Sequence, residues 1–104
     1  MLDYLLDDME KRLAPANFKR VHEQEHPRAF GSREIVWAGQ QRVLRLTWDG
    51  KDEWIILEAR PSDGIEWQEV HIERVGRDGL DQRGREVVLA VLDRWLFGSG
   101  LPAA

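Results

Sequence analysis

The chain predicts an α+β fold: an N-terminal helix, an antiparallel meander sheet of four to five strands and a C-terminal helix, with both helices packed on one face of the sheet. Three observations predict it. Leu2, Leu5, Leu6, Met9 and Leu13 recur at helical spacing near the start, and Val87, Val88, Val91, Leu92, Trp95 and Leu96 form a broader stripe near the end. Between them, two turn signals, Gly39-Gln40 and Gly50-Lys51, separate runs of alternating apolar residues. Pairing those runs across each turn gathers Ile35, Trp37, Leu44, Leu46, Trp48, Ile55, Leu57 and Ala59 on one side.

Taken in order, residues 2–13 form the first helix. Asp3, Asp7 and Asp8 fall early and Lys11 and Arg12 late, which complements the helix dipole. Pro15 marks its end, and the face opposite the leucines is acidic and expected in solvent. Phe18 to Glu25 reads as a strand. Phe18 and Val21 break its alternation, which predicts a bulge or a short helical turn. Pro27 closes it, and Phe30-Gly31-Ser32 turns the chain into a strand over 33–38. Read as a two-residue type II′ loop, which takes Gly first, Gly39-Gln40 pairs Ala38 with Gln41, Trp37 with Arg42 and Ile35 with Leu44. Gly50-Lys51, read the same way, pairs Trp48 with Glu53, Leu46 with Ile55 and Leu44 with Leu57.

Pro61 to Gly64 is a loop by its turn chemistry. Ile65 to Val75 reads as a further strand from the alternation of Val70 and Ile72, although Trp67, Val70 and His71 also suit a helical turn. Gly76 to Gly79 is a loop. The last helix runs from about Asp81 to Phe97. Gly84 weakens its start by about 1 kcal/mol relative to Ala, and Gly98 is placed to end it. One domain over 1–98, followed by a flexible tail over 99–104, accounts for the chain.

Composition bounds the function. The chain has 104 residues, 42% hydrophobic and 33% charged, the balance of an ordinary globular domain. It has no cysteine, so disulfides, thiolate metal sites and thiol catalysis are excluded. The acidic start MLDYLLDDMEKRL lacks the basic n-region of a secretory signal, and no apolar run approaches the ~20 residues of a membrane span. A cytoplasmic protein without a membrane partner is expected. A net charge of −4 argues against a nucleic-acid partner. Lys11 to Arg45 holds eight basic residues and three acids, whereas Leu46 to Val75 holds three basic residues and eight acids. Such segments neutralise each other when paired as neighbouring strands. Twelve arginines against three lysines suit a bacterial genome of high GC content.

The pairing also defines the outer side of the sheet: Val36, Val43, Arg45, Thr47, Trp54, Ile56 and Glu58. It sets Val36 beside Val43, Arg45 beside Ile56 and Thr47 beside Trp54. A solvated face is ordinarily polar. An apolar cluster of roughly several hundred Å² with a charged rim marks a contact surface, and Trp and Arg concentrate binding energy there. Of the five tryptophans, Trp37, Trp48 and Trp95 have places in the core, whereas Trp54 and Trp67 have none. The candidate binding residues are Val36, Val43, Arg45, Thr47, Trp54, Ile56 and Trp67. The structural alternatives are cross-strand packing alone, or the N-terminal segment or the Ile65–Val75 region folding over this face.

His22-Glu23-Gln24-Glu25-His26 matches H-E-x-x-H, the string of zinc metallopeptidases, in which two His on one helix face hold zinc while the Glu activates water. That resemblance implies His22 and His26 as ligands and Glu23 as the base of a small zinc-dependent hydrolase. Pro27 follows where the helix has to continue, and Glu25 puts a charge where the family pattern has none. On a strand, His22 and His26 share one side and Glu23 points to the other. Adventitious metal binding by His22 and His26, with His71, and plain solvation are the competing readings. No catalytic residue and no cofactor are expected. Glu66, Glu69 and Glu73 read as a solvated face, and Ser32, Ser62 and Ser99 lack a nucleophile-elbow setting.

A helix, then Phe18-Lys19-Arg20-Val21, then Ala29-Phe30-Gly31-Ser32, a Trp-bearing meander and a final helix resemble the plan of small bacterial α+β proteins, some of them immunity proteins that neutralise toxins. The resemblance implies a non-enzymatic cytoplasmic protein that binds a protein partner, and it supplies no site residues. A protein-binding module is thus the leading expectation. The alternative is a structural homodimer that associates through the exposed sheet face.

Overall fold

The computed structural model describes residues 2–28, 30–74 and 82–98. Its elements are α1 (Leu2–Leu13), β1 (Lys19–His26), β2 (Ser32–Ala38), β3 (Arg42–Asp49), β4 (Trp54–Pro61), β5 (Gln68–Arg74) and α2 (Gln82–Phe97). The five strands lie in sequence order, each antiparallel to its neighbour. Ile35, Trp37, Leu44, Leu46, Ile55 and Leu57 form the sheet's contribution to the core, joined by Leu2, Leu5, Leu6, Met9 and Leu13 of α1 and Val88 and Leu92 of α2. Both helices therefore cover one face, in two layers, as the apolar patterns predict.

The ends of the elements show where local chemistry prevails. Pro15 does not stop the chain sharply. It sits in a 3-10 turn, Ala14–Ala16, that prolongs α1, and Asn17 then reverses direction with φ 67°. Phe18 is buried ahead of β1 rather than within it. The expected irregularity at Val21 is a bulge: the register shifts between Arg20 and His22, and Val21 is exposed. In α2 the apolar stripe is turned by about one residue, because Leu89 packs on the core and Val87 does not. Gly98 follows α2 with φ 68°, the left-handed conformation of a helix C-cap. The segment expected as a fifth strand over Ile65–Val75 is a strand from Gln68 onward. Val75, the Gly76–Gly79 loop, Asp81 and the 99–104 tail lie outside the described residues.

Both hairpin registers differ from the expected ones. Ala38 pairs with Val43, Trp37 with Leu44 and Ile35 with Leu46. Trp48 pairs with Ile55, Leu46 with Leu57 and Leu44 with Ala59. Each register is displaced by two residues, because each loop has four residues rather than two. Neither Gly39 nor Gly50 has the positive φ that a type II′ turn demands of its first residue. In the second loop the Asp49 carboxylate accepts the N–H groups of Lys51 (2.9 Å) and Asp52 (3.1 Å), the Asp49 carbonyl accepts that of Glu53 (2.8 Å), and Glu53 takes φ 63°. In the first, Gly39 N–H donates to the Arg42 carbonyl at 2.9 Å, and the Phe18 ring lies where a Cβ on Gly39 would stand at 2.8 Å from it. Side chains alternate with a period of two, so a displacement of two leaves every residue on its predicted face. Only the partners change. On the outer side Val36 meets Arg45 rather than Val43, Arg45 meets Glu58 rather than Ile56, and Thr47 meets Ile56 rather than Trp54.

Ion pairs tie α1 to β1. Arg33 contacts Asp3 of α1 together with Glu23 and Glu25 of β1. Arg20 bonds Glu10 of α1 and Glu23, each at 2.8 Å, and Trp37 donates its indole N–H to Glu10 at 2.9 Å. The hydrogen bond from Arg33 holds the Asp3 carboxyl below its ordinary pKa, and hydrogen bonds from Arg33 and Arg20 do the same for Glu23. Burial pushes Glu10 upward, but the bonds from Arg20 and Trp37 outweigh it and leave the carboxyl lowered. Among the described residues no helix is long and apolar enough to cross a membrane.

Candidate functional site

The registers order the outer face into rows. Val36, Arg45, Glu58 and Glu69 lie side by side; Glu34, Thr47, Ile56 and Ile72 form the next row; Asp49, Trp54 and Arg74 form the row beyond. The centre is polar, because Arg45 donates twice to one Glu58 oxygen, at 2.8 and 3.1 Å. Val36 and Val43 are only 9% and 6% exposed, although neither belongs to the main core. So little of either is exposed that they offer little contact area.

Trp67 has a place that the sequence does not reveal. The guanidinium carbons of Arg45 and Arg60 stand 4.2 and 4.9 Å from its ring centroid, a cation–π geometry. Arg60 is held in turn by the carbonyls of Pro61, Ser62 and Gly64. One end of the outer face is thus closed by the chain itself, one of the structural alternatives for this surface.

The other end stays open. Ile56 and Trp54 are half-buried, Ile72 is 40% exposed and Phe30 is 60% exposed. A shallow depression of about 360 Å³ runs among Phe30, Ser32, Thr47 and Ile56. Phe30 is fixed from beneath. Its carbonyl lies over Gly50, where a Cβ would stand 1.9 Å from it, and Gly50 N–H donates to Ser32 Oγ at 3.0 Å. Phe30 (φ 60°) and Gly31 (φ 74°) are both left-handed, an uncommon state for an aromatic residue. Phe30 and Ile72 were not among the candidates read from sequence. Ile72 follows once the β4–β5 register is known, and Phe30 depends on a close approach that no local pattern signals.

The side facing the helices holds a larger feature. The last turns of α2 and the strands β4 and β5 leave an open groove of about 950 Å³, lined among others by Arg42, Val70, His71, Val91, Arg94 and Trp95. Arg42 caps α2: it donates to the carbonyls of Trp95 (3.0 Å) and Leu96 (3.4 Å) and stacks 4.0 Å from the Trp95 ring. Burial lowers its pKa from the ordinary arginine value.

The HEQEH string lies on a strand rather than a helix. Residues four apart on a strand are about 13 Å apart, so His22 and His26 do not converge, and Glu23 points to the other face, into the ion pairs with Arg20 and Arg33. His71 stands on the opposite edge strand, bonded to Glu73 at 2.9 Å. Among the described residues no three metal-binding side chains come together. Compared with known proteins, the chain matches no family model, no curated protein and no solved structure.

Proposed function

We propose that this protein is a non-enzymatic binding module that engages a partner protein through the open end of the outer sheet face, with Trp54, Ile56, Ile72 and Phe30 as contacts. The observation that supports this is an apolar, partly exposed cluster on the face away from the helices, built around an aromatic residue seated by Gly50. Its rim is charged, with Glu34, Asp49, Lys51 and Arg74 beside it, the layout of a protein contact. Arg45 and Thr47 lie at the inner border, while Val36, Val43 and Trp67 support the face from below and beside. An immunity-type inhibitor that covers a toxin in a bacterial cytoplasm is a concrete form of this reading, motivated by the resemblance of plan.

The test is a photo-crosslinking residue at position 72, with position 4 on the exposed side of α1 as reference, in cells of the native host. A discrete crosslinked partner from position 72, abolished by Ile56→Asp, is the expected result. Crosslinks only between copies of this chain would replace the reading with face-to-face homodimerisation. No excess over position 4 would refute both.

A further inference from the structure

Resting on the outer-face reading above, we infer that Phe30 is the anchor of that contact and that the partner protein receives its ring in a concave apolar pocket. Three separate features hold this one side chain in place. Phe30 takes φ 60° and Gly31 φ 74°. Among the described residues, Asn17, Phe30 and Glu53 are the non-glycine positions with positive φ; Asn takes such values readily, a bulky aromatic residue does not. The Phe30 carbonyl fills the space over Gly50 that any Cβ would need. Ser32 Oγ accepts the Gly50 N–H at 3.0 Å, which ties the two turns together. The fold draws little packing from the ring so held: Phe30 is 60% exposed and outside the main core. A costly backbone conformation that presents an aromatic ring to solvent points to a use outside the fold.

Shape names the chemistry of the partner. The depression that Phe30 shares with Thr47 and Ile56 leaves most of the residue uncovered. The uncovered share, roughly 100 Å² for an aromatic side chain of ordinary size, is enclosed only if the partner supplies the walls. Aromatic anchors contribute most in dry, walled pockets, and a residue whose backbone is already fixed loses little freedom on entering one. The rim carries both signs, Lys51 and Arg74 against Glu34 and Asp49, so the ring rather than charge sets the choice of partner. Ile56, Ile72 and Trp54 then meet the lip of the pocket.

The experiment replaces Phe30 by Asn, which accepts the left-handed backbone while removing the ring, and by Leu, which keeps apolar bulk. The thermal midpoint of Phe30→Asn is expected within about 8 °C of the parent; a larger fall would show that the ring serves the fold and would overturn the anchor. The partner captured from position 72 is then purified and titrated. Phe30→Asn is expected to lose about 30- to 100-fold in affinity and Phe30→Leu less. A photo-crosslinking residue moved to position 30 is expected to mark the same partner at residues from more than one segment, as the walls of a pocket are. A partner captured from position 72 whose affinity ignores Phe30→Asn would overturn the anchor and leave the outer-face reading standing. No capture from position 72 would remove both. Adducts from position 30 confined to one segment of the partner, or formed only with another copy of this chain, would replace the pocket with a flat or self-made contact and also overturn the proposal.

Discussion

Leu57 and Ile56 are neighbours in β4 that face opposite ways, and truncating each to alanine separates the two surfaces. Leu57 is 0% exposed and contacts the core beneath both helices. A Leu→Ala change at such a site costs about 2–5 kcal/mol, because the lost transfer energy adds to an unfilled cavity. With about 3 kcal/mol as the central value, a domain of this length loses about 12–20 °C in thermal midpoint. Ile56 is half-buried on the outer face and outside the main core. Its truncation forfeits only part of its transfer energy, about 1 kcal/mol, or about 4–6 °C. Urea unfolding followed by far-UV circular dichroism and tryptophan fluorescence measures both, with an unchanged m-value required for the comparison. If Ile56→Ala costs as much as Leu57→Ala or more, the assignment of inner and outer faces is refuted, and with it the proposed contact surface.

Two further changes test the frame around the site. Asp3, Glu10 and Glu23 have folded-state pKa values below their ordinary range near 4. Their stabilising contribution is therefore fully present above that range and is lost as pH falls through the lower, folded values. Urea midpoints should drop as pH falls below about 4, and Arg33→Gln should lower the midpoint at pH 7 while flattening the acid limb; a parallel limb would remove Arg33 from the coupling. Gly50→Ala forces a Cβ to within 1.9 Å of the Phe30 carbonyl, so the turn must move. A cost of about 1–3 kcal/mol is expected, with amide shifts in NMR spectra concentrated at 30–32 and 49–51; a silent substitution would show that Phe30 is not seated there.

How much of this was legible beforehand depended on the range of the interaction. The α1 stripe from Leu2 to Leu13 and the sorting of Leu44, Leu46, Ile55 and Leu57 from Arg45, Ile56 and Trp54 follow from periodicity, and periodicity tolerates an error of two residues. The loop lengths do not follow from the glycines: in the second loop it is Asp49 that supplies the turn, bonding two N–H groups through its carboxylate, and in the first Gly39 N–H bonds the Arg42 carbonyl. An acid ahead of Gly50 was the available signal. The clamp on Trp67 by Arg45 and Arg60 arises from contact between strands and a loop, where sequence spacing is silent, and spacing gives no measure of how far Val36 and Val43 are buried. The cap that Arg42 places on the end of α2 is equally hidden, since Arg42 and Trp95 are brought together only by the packing of helix on sheet. Histidines at four-residue spacing looked like chemistry only while a helix was conceivable.

The seat of Phe30 on the bend at Gly50 has a thermodynamic corollary. A ring gripped from outside would be coupled through a single carbonyl to the bend joining the two central strands, so occupancy would be registered as slower opening of those strands. The amide proton of Gly50, bonded to Ser32 Oγ, is then a built-in reporter: its exchange with solvent should slow on saturation, before the partner itself has been seen.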